Sequence, residues 1–270
     1  MRKSGLTIVE LLVVISIMAI LMAVIVPVLK SSRQHAKAVI CNSNIKQLTL
    51  GLFIYENENH ILPYGFYGNS NMPRPPGGYA GYNEYNRMGW WWFNFIEGFY
   101  KKSDAKNTVV KCPSKWLTDP KLNNDVLCGN YGVNRSICKS PDDRQINRDE
   151  FVGTPLRAAE IPKPAQMLLI VDSGYAIISW WHTADEPPVV LNSNIIEDTA
   201  YVPGLKINKN RKNRNPRLGQ EQDAINGRHP NKSVNVGFAD YHTDLIRAEE
   251  LFVEKTDDGY KNKTPLWTPK

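Results

Sequence analysis

The run Ser4–Lys30, SGLTIVELLVVISIMAILMAVIVPVLK, decides how the rest of the chain is read. From Leu11 to Leu29 only Ser16 is polar. As a helix rising about 1.5 Å per residue, that stretch covers roughly 28 Å, close to the hydrocarbon thickness of a bilayer. No other segment of the 270 residues approaches it, and the mean hydropathy of the whole chain is −0.40. The pattern predicts one membrane-length helix followed by a water-soluble body. A cleavable secretory leader has an apolar region of about 7–15 residues ending at an A-x-A-like site. This run is longer, and Lys30-Ser31-Ser32-Arg33 follows it. Arg2 and Lys3 precede the run, while Lys30, Arg33 and Lys37 follow it, so charge alone leaves the orientation open. Glu10 is the anomaly. An acid at the centre of a membrane helix costs roughly 2.5–3.5 kcal/mol, less near the interface, and requires a partner. A cut after Gly5 would supply one, the new α-amine of Leu6, one helical turn from Glu10.

KSGLTIVELL resembles the type IV prepilin processing signal: a short basic leader, a Gly before the cut, an apolar residue after it, and Glu at the fifth position beyond it. The resemblance implies that prepilin peptidase cuts between Gly5 and Leu6 on the cytoplasmic side and that Leu6 becomes N-methylated. Pro27 falls where that family often has a helix-kinking proline, which loses one backbone bond and clashes with the preceding turn. The implied organisation is a leader at 1–5, a transmembrane and filament-core helix at 6–29, its amphipathic continuation at 30–60, and a globular periplasmic or extracellular domain at 61–270. Glu10 would fix register against the Leu6 amine of a neighbouring subunit. The implied location is a single-pass inner-membrane protein, filament-associated after processing. Its implied partners are prepilin peptidase, other pilin-like subunits and an inner-membrane assembly platform.

Beyond Lys30 the apolar positions Ala36, Ile40, Ile45, Leu48, Leu52 and Tyr55 recur mostly at three and four, so the helix continues with one face for the body. The polar ENENH stretch and Pro63 end it. Thirteen aromatics between Tyr64 and Tyr100, including WWWF at 90–93, either pack a local lobe against the helix or present a sugar- or partner-docking surface. Packing is the favoured reading, because buried aromatics dominate core energetics. Strand patterns occur at 107–112, 166–172, 175–181, 233–240 and 241–246, the last two forming a hairpin that turns near Asp240-Tyr241. The fold class is α+β: a long N-terminal helix on an antiparallel sheet, pilin-like, with large loop insertions.

NGRHPNKSVNVGFADYHTDLI resembles a C-terminal motif of many prepilin-like proteins, a His, nine arbitrary residues, then Asp-Gly. Arg228, His229, Asn235, Val236, Phe238, Asp240 and His242 match it. Ten residues separate His229 from Asp240, and Tyr241 replaces the Gly, so a different turn is expected. Segments 41–63, 112–114 and 130–134 also fit that group, which resembles major pseudopilins of type II secretion systems. That resemblance would allow calcium, but no acidic ligand set maps onto this sequence, and no cofactor is expected. His229, Asp240 and His242 are weak metal candidates without a supporting ligand motif, and a structural hydrogen-bond network is the favoured role. Four cysteines admit three disulfide connectivities. Cys41–Cys112, tying helix to sheet, and Cys128–Cys138, closing a loop, are favoured. The basic stretch 206–217 reads as a solvated loop, so nucleic acid is not an expected partner. No nucleophile or phosphate-loop motif occurs, and neither catalysis nor a small-molecule substrate is expected. The leading function is a pseudopilin of a type II secretion or related type IV filament system. The alternatives are a type IV pilin for adhesion or DNA uptake and an anchored carbohydrate-binding protein.

Overall fold

The computed structural model describes residues 7–68, 89–100, 109–117, 120, 125–141, 150–188, 200–207, 220–261 and 264–269. The α1 helix runs Ile8–Asn59. It begins where it does because Thr7 caps it. The Thr7 hydroxyl accepts from the Glu10 backbone N–H at 3.3 Å, and the Glu10 carboxylate accepts from the Thr7 N–H at 2.9 Å. This reciprocal pair satisfies two of the donors a helix start leaves open. At the far end His60 takes a left-handed φ of 61°, and its N–H returns to the Glu56 carbonyl at 2.7 Å. Pro27 lies inside α1 without ending it.

The helix has two unlike halves. Residues 7–37 are all exposed, including the whole apolar run. From Ala38 onward one face is buried, at Ala38, Cys41, Ile45, Leu48, Thr49 and Leu52. These positions recur at three and four and share one side of the helix. Ala36 and Ile40, which the sequence pattern placed on this side, are exposed instead. The stripe begins with the small side chains of Ala38 and Cys41, which let the body's backbone approach the helix.

The body is built on a five-stranded sheet in the order β5-β3-β4-β6-β7. Its strands are β3 (Tyr131–Asn134), β4 (Leu168–Asp172), β5 (Ile177–Ile178), β6 (Ser233–Phe238) and β7 (Thr243–Arg247). All neighbours are antiparallel except β3 and β5, which are parallel. The expected purely antiparallel sheet is therefore mixed. β4 runs against β3, the chain reverses once more, and β5 returns along the far edge of β3 in the same direction as β3. The expected strand at 107–112 is not formed over its described part, where residues 109–111 are turn and bend. Residues 180–182 continue the 175–181 strand pattern as a 3₁₀ turn.

Two apolar cores sandwich the sheet. On one side Ile45, Leu48 and Leu52 of α1 pack with Val133, Leu169 and Ile170. On the other, Val234, Val236 and Phe238 of β6 pack with Trp181, Leu251 and Trp267. Strand alternation then gives the remaining β6 residues, Ser233, Asn235 and Gly237, to the opposite face from these valines. A Cβ on Gly237 would collide with Thr49 of α1 and with Ile170, so this glycine sets how closely helix and sheet approach.

Most described aromatics of the 64–100 region pack inward wholly or in part, while Phe99 is exposed. The strands β1 (Phe66–Tyr67) and β2 (Trp90–Trp91) pair antiparallel, and Phe66 packs on Trp91 with ring centroids 4.6 Å apart. Trp91, Trp92 and Phe93 are buried, and the Trp92 indole N–H donates to the Ala176 carbonyl at 2.8 Å. A small antiparallel hairpin, β8 (Glu254–Thr256) with β9 (Gly259–Lys261), completes the described strands.

Candidate functional site

The segments that resemble the prepilin-associated group are distant in sequence and meet at one place, the seam between α1 and the sheet. Its centre is Asp172, fully buried at the end of β4. One carboxylate oxygen accepts from the Asn235 backbone N–H at 2.7 Å and from its side-chain amide at 3.0 Å, and lies 3.0 Å from His229 Nε2. Asn42 of α1 donates to the Asn235 side-chain carbonyl at 3.1 Å, so the helix joins the same network. Asn44, two residues on, donates to the Lys111 carbonyl at 3.1 Å and to the Tyr131 hydroxyl at 3.2 Å.

A second buried charge sits beside the first. Arg228 grips both oxygens of Asp223, with contacts of 2.7–2.9 Å. It also donates at 2.8 Å to the carbonyls of Asn130 and Ser173. The Tyr201 hydroxyl donates to the same Asp223 at 2.7 Å. Asn130 in turn accepts from the Cys112 N–H at 2.9 Å. The Arg228 and Asp223 side chains are wholly buried, and a guanidinium is retained there only because nearly every donor finds an oxygen.

Electrostatics follows from burial and pairing. Burial works against the Asp172 carboxylate, but His229, Arg228 and the Asn235 N–H overcome it and hold it below the usual range. Burial would likewise discharge His229, yet Asp172 raises it above its ordinary value. The His229–Asp172 contribution has two limits. The histidine's share is complete below its unfolded value of about 6.5 and is lost as pH rises through the raised folded value. The carboxylate's share is complete above its unfolded value of about 3.9 and is lost as pH falls through the lowered folded one. The thermal midpoint is therefore expected to decline from pH 6.5 toward 7.5, and His229→Gln is expected to flatten that decline. Scans at half-unit steps check this. Staying under pH 7.5 keeps clear of Lys115, which burial and Arg228 push down to about 8.

The three weak metal candidates, His229, Asp240 and His242, do not converge. His229 precedes β6, whereas Asp240 and His242 follow it. Six residues of strand, roughly 20 Å, lie between them. His242 instead pairs with Asp240 at the exposed turn and stacks on Phe238, ring centroids 4.1 Å apart. The turn itself accounts for the missing glycine. Tyr241 takes the left-handed φ of 71° that a Gly would occupy, and its ring packs on Phe53 of α1 at 4.9 Å.

No disulfide bond is formed in the structure, and all four cysteines are buried. Cys41 Sγ and Cys112 Sγ lie 2.8 Å apart. The expected Cys128–Cys138 bridge is not present, and the reason is geometric. β3 runs extended between the two, putting their Cα atoms beyond the ~7 Å a disulfide spans. Cys112, His229 and Asp172 superficially suggest a thiol–imidazole–carboxylate relay. Burial, reinforced by Cys41, pushes the Cys112 thiol well up, and Cys112, His229 and Asp172 are all buried from solvent. A nucleophilic thiol needs the opposite, a lowered value and access. The constellation is built to hold the helix on the body. Gly5 and Leu6, and residues 208–217 of the basic stretch, lie outside the described residues.

A long, exposed, apolar and acid-bearing helix, docked by its second half on a small sheet, is a pilin-like architecture. Comparison with known sequences agrees. The prokaryotic N-terminal methylation motif matches residues 1–26. The type II secretion system core protein G of Pseudomonas aeruginosa is 29% identical over 89 residues, 33% of this chain. The match spans 63% of that relative's own length. No solved structure matches the chain. Among the described residues, α1 alone is long and apolar enough to cross a membrane.

Sequence reasoning named Arg228, His229 and Asn235 and placed Asn130 in a matching segment, but it missed Asp172 and Asp223 as site residues. The available clue was LLIVD at 168–172, an apolar strand ending in an acid, which needs a cationic partner if it is buried.

Proposed function

We propose that this chain is a pseudopilin, a subunit of a type II secretion or related type IV filament system. Prepilin peptidase cuts between Gly5 and Leu6, and the Leu6 amine is methylated. Residues 6–29 first hold the protein in the inner membrane with the body outside the cytoplasm. They then pack against the same segment of other subunits on the assembly platform. The observation that carries this reading is the full exposure of the apolar half of α1, with Glu10 as its one acid. A helix hydrophobic all round needs either lipid or other helices around it.

The body's role is structural and not catalytic, since its buried ionisable pairs, His229–Asp172 and Arg228–Asp223, are closed off and mutually neutralised. The carbohydrate-binding alternative loses its main support, because Trp91, Trp92 and Phe93 are buried. Mass spectrometry of the N-terminus, from membranes with and without prepilin peptidase, tests the reading. A methylated Leu6 terminus that depends on the peptidase is the expected result. An intact Met1–Gly5 leader in both samples overturns it.

A further inference from the structure

The seam holds one arrangement that the hydrogen-bond network does not explain. Cys41 lies mid-helix on the buried stripe of α1, and Cys112 lies in the loop that crosses it, 71 residues on. Their sulfurs are 2.8 Å apart, with Ser114 Oγ 3.8 Å from Cys41. The Cys112 N–H is pinned by Asn130, and the neighbouring Lys111 carbonyl is pinned by Asn44 of the helix. Both chain segments are therefore anchored so that the two sulfurs face each other. From these contacts we propose that Cys41 and Cys112 form a disulfide that staples α1 to the body.

A metal is the competing occupant, because His229 offers a ligand atom within 4.8 Å of both sulfurs, and its Nδ1 has no hydrogen-bond partner among the described residues. The spacing argues against it. Two thiolates on one tetrahedral zinc, each about 2.3 Å from the ion, sit roughly 3.8 Å apart. The sulfurs here are already closer than that. Cys128 and Cys138, held apart by β3, remain thiols.

The chemistry is a two-electron oxidation. The two thiols lose two protons and two electrons, and one disulfide of a small-molecule or protein oxidant accepts them and leaves as two thiols. Cys41 and Cys112 are 0% and 2% exposed, so exchange has to occur before the 111–117 loop closes over the helix. The bond would carry tension directly from the filament-forming half of α1 into the sheet. Formation in the cell rests on the proposed extracytoplasmic location of the body, since disulfides persist in oxidising compartments.

The test uses the full-length protein, extracted in detergent without reductant and denatured in excess maleimide at acidic pH. Intact mass and peptide mapping should show two labels, on Cys128 and Cys138, and a cross-linked Cys41–Cys112 peptide, rising to four labels after reduction. A cross-link mapped to any other pair overturns the assignment, as does a zinc adduct in native mass spectrometry accompanied by four labels. Refolding the reduced protein in glutathione redox buffer separates the two premises. A bridge that forms on refolding but is absent from membrane samples upholds the pairing and overturns the location. A bridge in neither sample overturns the pairing.

Discussion

Asp172→Ala is expected to lower the thermal unfolding midpoint by on the order of 10 °C, from breaking a buried pair worth about 3–5 kcal/mol. The carboxylate is the shared acceptor for His229 and for both nitrogens of Asn235, and through Asn235 it reaches Asn42 on α1. Removing it leaves His229 without the carboxylate that favours its charged form, and leaves two buried Asn235 donors without their partner, each a desolvation penalty rather than a lost increment. Arg228 keeps Asp223, so the damage stays on one side of the seam. Asp172→Asn separates the components. It keeps an oxygen for the Asn235 N–H and removes only the charge, so its loss is expected to be smaller, and the decline above pH 6.5 should disappear. Combining it with His229→Gln should cost less than the two separate losses added together, because the pair is then removed as a unit. Thermal scans of the parent and the four variants check this. A midpoint for Asp172→Ala indistinguishable from that of the parent would mean that α1 is held by its apolar stripe alone.

The sequence made the architecture legible where periodicity was long or paired with a turn. The 52-residue helix, the β6–β7 hairpin and the inward-packed aromatics all followed from repeating patterns. Short strands were less legible, because β5 is only two residues and is set by where the chain can return, not by its own pattern. The seam was half legible. His229 and Asn235 lie in a recognisable string, so the motif could be found, but its purpose could not. Its partners lie 57 and 63 residues away on β4, and on α1 193 residues from Asn235. A buried carboxylate at a strand end looks like any other acid until topology supplies the cation. Tyr241 shows the converse. The missing glycine suggested a different turn, yet packing of the tyrosine ring on Phe53 accompanies a backbone conformation that side chains usually avoid.

Replacing Glu10 is expected to remove the protein from filaments by roughly 100-fold, and the choice of replacement decides why. In the isolated chain Glu10 caps its own helix, accepting from the Thr7 N–H at 2.9 Å and from the Thr7 hydroxyl at 2.8 Å. After the proposed cut, Thr7 becomes the second residue, and the Leu6 amine lies within one turn of this carboxylate. In an assembly the same oxygens have two claimants, the chain's own first turn and a neighbour's amine. An amine left unpaired among apolar helices carries a penalty of about 2.5–3.5 kcal/mol, which sets the expected factor of roughly 100. Glu10→Gln preserves the capping geometry, since glutamine serves in the same reciprocal box, but deletes the charge. Glu10→Ala deletes both. If pairing with the amine governs assembly, the two variants should be equally absent from sheared filaments, while both accumulate in the membrane with folded bodies. If the carboxylate merely caps the helix, Glu10→Gln should assemble like the parent and only Glu10→Ala should fail. Normal assembly of both variants would remove Glu10 from the mechanism, and the exposed apolar face would then have to set subunit register by shape alone.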